Sequence, residues 1–290
     1  MVQSIQTVVI PAAGRGTRLL PATKATSKEL LNVYDRSTIQ FAINEAIELG
    51  VKRIVVVIHP DKGAIRDYLS PNPDYIMELR RSGKTMLATA LEDIEVPGNI
   101  EILFAKQEQP LGLGHAVLCA GKLLLPGPFA IVLPDDLILG TSCLSEMAMH
   151  YEEGHMIAAM EVSRSETKSY GIFRLAAPGK GPIMRVSGMI EKPAPDQAPS
   201  QLAAVGRYIL DPAILETLKE TSCGAGGEIQ LTDAIEQDSK YRPLSAFRFS
   251  GIRYDCGCHD GLLSAAIARQ GEVKSQIRAD DLAAQSHMLS

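Results

Sequence analysis

The stretch that decides the fold lies near the start of the chain and reads TVVIPAAGRGTR, Thr7–Arg18. Its first four residues form a β-branched run of the kind found in strands that are buried on both faces of a sheet. The loop that follows carries Gly14 and Gly16, where backbone N–H groups can approach an anion closely. Since open α/β sheets bind ligands at the carboxyl ends of their strands, the stretch predicts both a sheet and an anion site.

The alternation of strand and helix continues through the first half of the chain. Further apolar runs occupy residues 53–58, 100–104 and 129–133. Between the first two strands, apolar side chains recur at helical spacing from Ile39 to Ile47, and a second helix fits residues 114–125. The pattern predicts an α/β fold with a doubly wound, mostly parallel mixed sheet and right-handed crossovers.

The second half of the chain predicts a smaller lobe. Strand-like runs cover residues 156–162, 171–175, 185–190 and 203–209, and turns rich in proline and glycine separate them. Residues 70–98 interrupt the alternation with two prolines and a charged helical stretch, so we interpret them as an insertion. Because no long polar linker divides the chain, we predict a single domain over residues 1–290 whose two lobes share a cleft.

Composition excludes several classes of protein. The 290 residues are 46% hydrophobic and 22% charged, which is typical of a globular domain and not of a disordered or fibrous chain. Twenty-nine Lys and Arg against 34 Asp and Glu give a net charge of -5, so there is no overall basic field for nucleic acid. Apolar runs fall far short of the roughly 20 residues that span a bilayer. We therefore expect a soluble cytoplasmic protein without a nucleic-acid or membrane partner.

The five cysteines are scattered and odd in number, which favours reduced thiols in an intracellular protein. The segment Cys256–His259 contains a C-x-C pair, but this spacing is tighter than zinc sites use, and no second Cys/His pair accompanies it. We do not predict a zinc site.

The first candidate site is the glycine loop itself. Four cations fall within 14 residues, and no Asp or Glu precedes them; they are Arg15, Arg18, Lys24 and Lys28. Such a loop suits a polyphosphate such as a nucleoside triphosphate. A basic loop that merely faces water is the alternative.

Two acids, Asp135 and Asp136, follow the fourth predicted strand. Carboxylates at that edge of a sheet are typical ligands of Mg²⁺, which keeps several waters and is shared with substrate phosphates. Asp255 is a candidate second ligand from a distant part of the chain. A turn at the end of the strand is the alternative interpretation.

Two further groups are suited to the base and the sugar of a nucleotide substrate. The Gln107 amide can accept from N3–H and donate to O4 of uracil or thymine. Glu191 and Lys192 are adjacent in an extended segment and so point to opposite faces, unless a twist before Pro193 turns both toward a cleft. His115 starts a predicted helix and is interpreted as structural.

Together these motifs resemble, in type and order, those of the sugar nucleotidyltransferases. The resemblance covers residues 5–268, and the segment Glu78–Lys84 within the insertion is similar to the uridylyl branch of the family. The matching segments are Gly14–Arg18, Pro21–Lys24, Lys28-Glu29, Gln107, Gly112–Ala116, Leu133–Asp136, Tyr170-Gly171, Glu191–Pro193, Gly227–Asp233 and Tyr254–Gly257.

The resemblance implies a Rossmann-like nucleotidyltransferase fold with a smaller sugar-binding lobe. It implies Mg²⁺-dependent transfer from UTP to glucose 1-phosphate, which gives UDP-glucose and pyrophosphate, by a homodimer or homotetramer. Position by position, the resemblance implies that Ala12, Ala13 and Gly14 bind the nucleotide phosphates and that Gln107 and Gly112 bind uracil. It implies that Arg18 and Lys28 hold the triphosphate, that Lys192 holds the sugar phosphate, and that these three residues are catalytic. It also implies that Asp135 and Asp255 ligate Mg²⁺ and that Asp135, Gly171 and Glu191 contact substrate.

The sequence departs from the family pattern at a few positions. Leu111 stands where the uridylyl branch often has lysine, Thr26-Ser27 replaces a common apolar-proline pair, and Cys258-His259 replaces a polar pair. The tail of residues 270–290 matches nothing in the pattern. Two alternatives stay open: the same chemistry with dTTP or another sugar, and a catalytically weak paralogue that serves as a regulatory subunit.

Overall fold

The computed structural model describes residues 4–176 and 181–288. The strands are β1 Thr7–Pro11, β2 Asn32–Val33, β3 Arg36–Ser37, β4 Arg53–Ile58, β5 Glu101–Lys106, β6 Phe129–Val132, β7 Asp136–Leu139, β8 His155–Glu161, β9 Gly171–Leu175, β10 Ile183–Glu191, β11 Leu202–Leu210, β12 Leu244–Arg248 and β13 Ile252–Asp255. The α-helices are α1 Thr38–Glu48, α2 Gly63–Leu69, α3 Pro73–Arg81, α4 Thr85–Glu92, α5 Gly112–Ala120, α6 Cys143–His150, α7 Ile214–Glu220, α8 Leu231–Asp238 and α9 His259–Met288.

The main sheet has the strand order β5-β4-β1-β6-β11-β8-β12-β10-β9 within the described residues. The four strands from the first half of the chain are mutually parallel, as the sequence predicts. β11 then runs antiparallel to both β6 and β8, and β10 runs antiparallel to β12 and β9, while β8 and β12 are parallel. The α/β class with a mixed sheet is therefore confirmed.

The parallel character covers only part of that sheet. Four of the eight neighbouring pairs in the strand order are antiparallel, so the expectation of a mostly parallel sheet does not describe its second half. The connection from β9 to β10 holds only residues 176–182, which is too short for the crossover that a parallel pair requires. Adjacent short strands in this half accordingly pair antiparallel.

Helices pack on both faces of the sheet, and each face has its own core. Successive residues of β1 divide between the cores, because side chains along a strand alternate in direction. Val9 packs with Phe129 and the apolar residues of α5, α7 and α8, whereas Val8 and Ile10 pack with those of α1 and α6. The continuous apolar run in β1 is thus explained by burial on both sides.

The segment of residues 70–98 forms a helical hairpin of α3 and α4 between α2 and β5. Asn72 caps α3 by accepting from the Tyr75 N–H at 3.3 Å, and Gly83 adopts a φ of 79° at the turn between the helices. In the tail of residues 270–290, α9 continues to Met288, and the last two positions lie outside the described residues. Among the residues described, no helix has both the length and the apolar character needed to cross a bilayer.

Five short strands escaped the sequence prediction. β2 and β3 have two residues each, β7, β12 and β13 have four or five, and none shows a long β-branched run. β13 pairs antiparallel with β7 in a separate two-stranded sheet. This pairing matters for the site, because it brings Asp255 opposite Asp136.

A buried ion pair ties the helical layer to the sheet. Arg207 in β11 is only 1% exposed, and its Nε donates to Glu45 Oε2 in α1 at 2.8 Å. The guanidinium also donates to the Asp136 carbonyl at 2.7 Å, while Glu45 Oε1 accepts from the Leu144 N–H at the start of α6. Two helices and two strands therefore meet at one charged contact.

We expect Glu45→Ala to destabilise the protein by about 3–5 kcal/mol, because it leaves the buried Arg207 guanidinium without its counter-charge. Urea unfolding followed by circular dichroism measures the change. Glu48→Ala, an exposed position in the same helix, serves as the control and should shift the free energy of unfolding by less than about 0.5 kcal/mol. Equal effects of the two substitutions would contradict this account of the buried pair.

Candidate active site

A cavity of about 370 Å³ opens at the carboxyl end of the parallel strands, between them and the antiparallel part of the sheet. Residues from both halves of the chain line it. Seven residues singled out from the sequence contribute to this lining: Arg18, Asp135, Asp136, Gly171, Glu191, Lys192 and Asp255. These candidate residues therefore meet in one cavity.

The glycine loop runs from the end of β1 through three short 3-10 turns. Gly16 adopts a left-handed backbone with φ 66°, and its carbonyl accepts from Thr23 Oγ1 at 2.8 Å. A Cβ at this position would lie 3.1 Å from Lys28 Cβ, so a larger residue would crowd the lysine as well as strain the turn. The loop is thus folded back on Lys28.

The loop cations pair with the two candidate metal-binding carboxylates. Lys28 Nζ forms an ion pair with Asp135 Oδ2. The Arg18 guanidinium spans both acids, with Nη1 at 3.3 Å from Asp255 Oδ2 and Nη2 at 4.0 Å from Asp135 Oδ2. Two cations and two carboxylates therefore form one cluster at the cavity wall.

These contacts determine the charge states of the half-buried pair. Burial works to raise the pKa of Asp135, but the Lys28 ammonium outweighs it and keeps that pKa below its ordinary value. Burial likewise works to lower the pKa of Lys28, and Asp135 with Glu29 outweighs it and raises that pKa. Both groups are consequently charged at neutral pH.

Backbone contacts fix Asp255 in the cluster. Its Oδ1 accepts from the Gly257 N–H at 3.0 Å, and the Cys256 N–H donates to the Asp135 carbonyl at 2.7 Å. A Cβ on Gly257 would lie 2.3 Å from Arg18 Nη2. Glycine at this position is what allows the guanidinium to reach both carboxylates.

The donor set at this cluster fits a hard divalent cation. The carboxylates of Asp135 and Asp255 are both in contact with the single guanidinium group of Arg18, so they lie close to each other. Within the described ranges, 4–176 and 181–288, no group of three or more His, Cys, Asp or Glu could enclose a metal. A pair of carboxylates suits an ion such as Mg²⁺, which keeps waters and shares its remaining positions with phosphate oxygens.

Asp136, the neighbouring acid, has a structural environment. Its Oδ2 accepts from the Gly206 N–H at 2.8 Å, and its Oδ1 accepts from Arg253 Nε at 2.8 Å. Burial raises the pKa of Asp136, and the Arg253 guanidinium opposes this effect. Arg253 in turn donates to the Tyr170 hydroxyl at 2.9 Å, so Asp136 holds together a part of the cavity wall that it lines with both residues.

The Glu191-Lys192 pair faces the same cavity because the chain twists there, as the sequence analysis considered. Lys192 has a φ of 45°, which is uncommon for a residue with a side chain, and its N–H donates to the Tyr170 carbonyl at 2.9 Å. Glu191 Oε2 accepts from Thr232 Oγ1 at 2.7 Å, and its Oε1 lies 3.2 Å from Lys192 Nζ.

Gly171 lies beside this pair at the start of β9. A Cβ at this position would come within 3.0 Å of Met189 Cε and 3.2 Å of Thr232 Oγ1. The absence of a side chain therefore keeps this side of the cavity open.

Gln107 and Gly112 are not among the residues that line the cavity, although Leu113, the neighbour of Gly112, is. Gln107 follows β5 and is buried, with 4% exposure. Its Nε2 donates to the Gly112 carbonyl at 3.0 Å and lies 3.0 Å from His115 Nδ1. The two residues assigned to the base by resemblance are thus in direct contact with each other.

Sequence reasoning missed a second ion pair that holds the glycine loop. Lys62 Nζ donates to the carbonyls of Ala12 and Gly14 at 2.8 and 2.6 Å, and to Glu29 Oε2 at 2.8 Å. Burial raises the pKa of Glu29, with Lys62 opposing, and burial also lowers the pKa of Lys62. Lys62 lies four residues after β4, and its position at the carboxyl end of a strand is the feature of the sequence that could have identified it as a site residue.

This clamp also accounts for the two alanines of the loop. Ala12 and Ala13 are 1% and 6% exposed, so they are packed under the loop. Because Lys62 binds the carbonyls of Ala12 and Gly14, the intervening backbone is held from one side.

Comparisons with known proteins agree with this geometry. The model of the nucleotidyl transferase family matches residues 7–270. A UTP–glucose-1-phosphate uridylyltransferase of Bacillus subtilis strain 168 is 39% identical over 269 residues, which are 91% of this chain and 91% of that protein.

Two solved structures are similar over most of the chain. A UDP-glucose pyrophosphorylase complexed with UDP-glucose has a TM-score of 0.82 and 35% identity, covering 92% of this chain and 99% of that one. A UTP-bound UGPase from Acinetobacter baumannii has a TM-score of 0.83 and 35% identity, covering 94% and 98%.

We expect Lys62→Met to lower the free energy of unfolding by about 3 kcal/mol, because the buried Glu29 carboxylate then loses its ion pair and the carbonyls of Ala12 and Gly14 lose a donor. Adding Glu29→Gln to that variant should recover part of the loss, and a double-mutant cycle by urea unfolding measures the coupling. Lys52→Met, at an exposed cation on the opposite edge of the sheet, is the control. A loss for Lys62→Met no larger than the control's would refute the clamp.

Proposed function

Since the chain belongs to the nucleotidyl transferase family, we propose that it transfers a uridylyl group from UTP to glucose 1-phosphate. A phosphate oxygen of glucose 1-phosphate attacks the α-phosphorus of UTP, the new P–O bond forms, and the bond to the β-phosphate oxygen breaks. The products are UDP-glucose and pyrophosphate. The relative from Bacillus subtilis, named for this activity, supports the proposal, as do the structures with UDP-glucose and UTP.

The lining of one cavity is the structural observation that supports this proposal. A single cavity is lined by the loop cation Arg18, by Asp135 and Asp255, and by Glu191 and Lys192 from the antiparallel half of the sheet. Groups suited to a triphosphate and groups suited to a sugar phosphate thus face one space. A transfer between two phosphate compounds requires this arrangement, because both must be held in line.

The chemistry needs no general base, since the attacking phosphate is already an anion near pH 7. The task of the residues is to overcome the repulsion between two polyanions and to stabilise charge that develops at the α-phosphate. Arg18 and Lys28 leave the carboxylates of the cluster and bind the triphosphate. The glycine loop, held from beneath by Lys62, supplies backbone N–H groups to the same phosphates.

Asp135 and Asp255 are the residues that would hold Mg²⁺. When bound, the ion supplies positive charge to both the transferred phosphate and the leaving pyrophosphate. The carboxylates orient toward this position because the Gly257 N–H and the strand pairing of β13 with β7 fix Asp255.

The antiparallel half of the sheet forms the sugar-binding lobe of this proposal. Glu191 accepts from sugar hydroxyls, Lys192 binds the sugar phosphate, and Gly171 leaves room for the ring. The twist at Lys192 supports this assignment, because its φ of 45° turns both side chains toward the cavity.

We also propose that the chain acts as a homodimer or homotetramer in the cytoplasm. Exposed apolar side chains on α9 and β13 support association, since Leu263, Ile267 and Ile252 are each at least 63% exposed. The free thiols suit a reducing compartment.

The direct test is a matrix of turnover assays with the purified full chain. UTP and dTTP are each combined with glucose 1-phosphate and galactose 1-phosphate, and nucleotide sugar and pyrophosphate are both quantified. We expect the highest kcat/KM for UTP with glucose 1-phosphate and equal amounts of the two products. A preference for dTTP would overturn the uridylyl assignment, and UTP binding without turnover would indicate a regulatory paralogue.

The metal assignment gives a separate prediction. Asp135→Asn and Asp255→Asn should each lower Mg²⁺-dependent kcat/KM by about a hundredfold or more, because each removes a charged group that fixes the ion beside the phosphates. Asp260→Asn, an exposed acid five residues after Asp255, is the matched control. Rates close to those of the unmodified protein at saturating Mg²⁺, in either cluster variant, would exclude that residue as a ligand.

A further inference from the structure

The Gln107 side chain is held in one orientation by two acceptors. Its Nε2 lies 3.0 Å from the Gly112 carbonyl oxygen and 3.0 Å from His115 Nδ1. An amide nitrogen carries two protons, and a carbonyl oxygen can only accept. One proton therefore goes to Gly112 and the other to His115.

This arrangement fixes the tautomer of His115. Because Nδ1 accepts from Gln107, it carries no proton, and the neutral ring has its proton on Nε2. That nitrogen lies 3.8 Å from Cys119 Sγ, one turn further along α5. The sulfur is a weak acceptor for the Nε2 proton, and the ring is thereby held on both sides.

A rotated amide would lose the Gly112 contact. Turning Gln107 by 180° would put Oε1 against the Gly112 oxygen, which can only accept, and would require His115 to take the other tautomer, with its proton on Nδ1. In the part of the chain that the structure describes, no residue donates to Oε1 in the observed orientation. The only group that the amide can offer to a ligand is consequently this acceptor.

The Gly112 anchor depends on a glycine. Its φ is 91°, and a Cβ there would lie 2.7 Å from Glu228 Cβ. The direction of the Gly112 carbonyl is thus set by the backbone, which leaves His115 as the side chain that completes the lock.

We propose that His115 is a specificity-determining positioning residue, which orients Gln107 so that only Oε1 is presented to the nucleobase. An acceptor in that position selects a base with a ring N–H on its pairing edge, as uracil and thymine have at N3. Cytosine offers an acceptor at N3 and is rejected. The inference rests on the proposed function for the identity of the substrate.

This proposal differs from the pairing expected from the sequence. There the Gln107 amide was expected to accept from N3–H and to donate to O4. Both amide protons are already engaged by Gly112 and His115, so the donation to O4 is not available. The selection is made through one accepted hydrogen bond.

Two substitutions separate orientation from simple packing. In His115→Asn the side-chain oxygen lies near the position of Nδ1 and can accept from Gln107, whereas His115→Leu has a similar size and no acceptor. Isothermal titration calorimetry of the full-length variants gives dissociation constants for UDP-glucose and CDP-glucose. The turnover assay gives kcat and KM for UTP.

We expect the unmodified protein and His115→Asn to prefer UDP-glucose strongly over CDP-glucose. His115→Leu should lose at least about tenfold of this preference, because Gln107 then keeps only the Gly112 contact, and the released amide proton can be donated to the N3 acceptor of cytosine. The change should fall on KM for UTP, with kcat at saturation within about twofold. A merely structural residue would weaken binding of both nucleotide sugars equally.

The inference is overturned if His115→Leu keeps the full preference, if His115→Asn loses it to the same extent, or if the unmodified protein has no preference. Circular dichroism establishes that the variants fold, and His115→Ala replaces His115→Leu if the latter does not. The dissociation constants require no turnover. A protein that selects UDP-glucose but forms none would refute the proposed function and still support the role of His115.

Discussion

The structure depends on the mutual neutralisation of charges at the carboxyl end of the parallel strands. Lys28 and Arg18 on the glycine loop face Asp135 and Asp255, so the cations that suit a triphosphate are paired with the carboxylates that suit a metal. Burial alone would disfavour the charges of Lys28 and Asp135, and their pairing makes them tolerable in a half-buried wall. Substrate must therefore replace these contacts between the cations and the carboxylates when it binds.

The surrounding fold keeps these four groups in reach of one another. Lys62 and Glu29 hold the loop that carries the cations, while the pairing of β13 with β7 carries Asp255 across from the far end of the chain. Glycine at position 257 leaves room for the Arg18 guanidinium. Each of these features fixes the position of the backbone. The four charged side chains can therefore contact one another without filling the cavity.

How much of this the sequence could predict depended on whether the signal was local. The apolar runs predicted the parallel strands, because a strand buried on both faces needs little information from elsewhere in the chain. The carboxylate-free run that ends at Lys28 pointed to the cation loop for the same reason. Asp135 was recognisable because it lies three residues after the end of β6.

Features made by distant pairings were not readable in this way. The antiparallel half of the sheet depends on which strands meet after the chain returns, and the strand carrying Asp255 has only four residues. The sequence analysis did not single out Lys62, although its ammonium binds two loop carbonyls and a buried carboxylate. The orientation of Gln107 was likewise open until Gly112 and His115 were seen to take both amide protons.

The central claim is that the two carboxylates hold the loop cations until metal and nucleotide arrive together. It is tested most directly by the affinity for UTP without metal, measured by calorimetry in EDTA for the unmodified protein and for Asp135→Asn. The claim predicts that Asp135→Asn binds UTP at least about fivefold more tightly, since Lys28 is released and one repulsive charge, worth about 1 kcal/mol or more, is removed. An unchanged or weaker affinity in Asp135→Asn would contradict it.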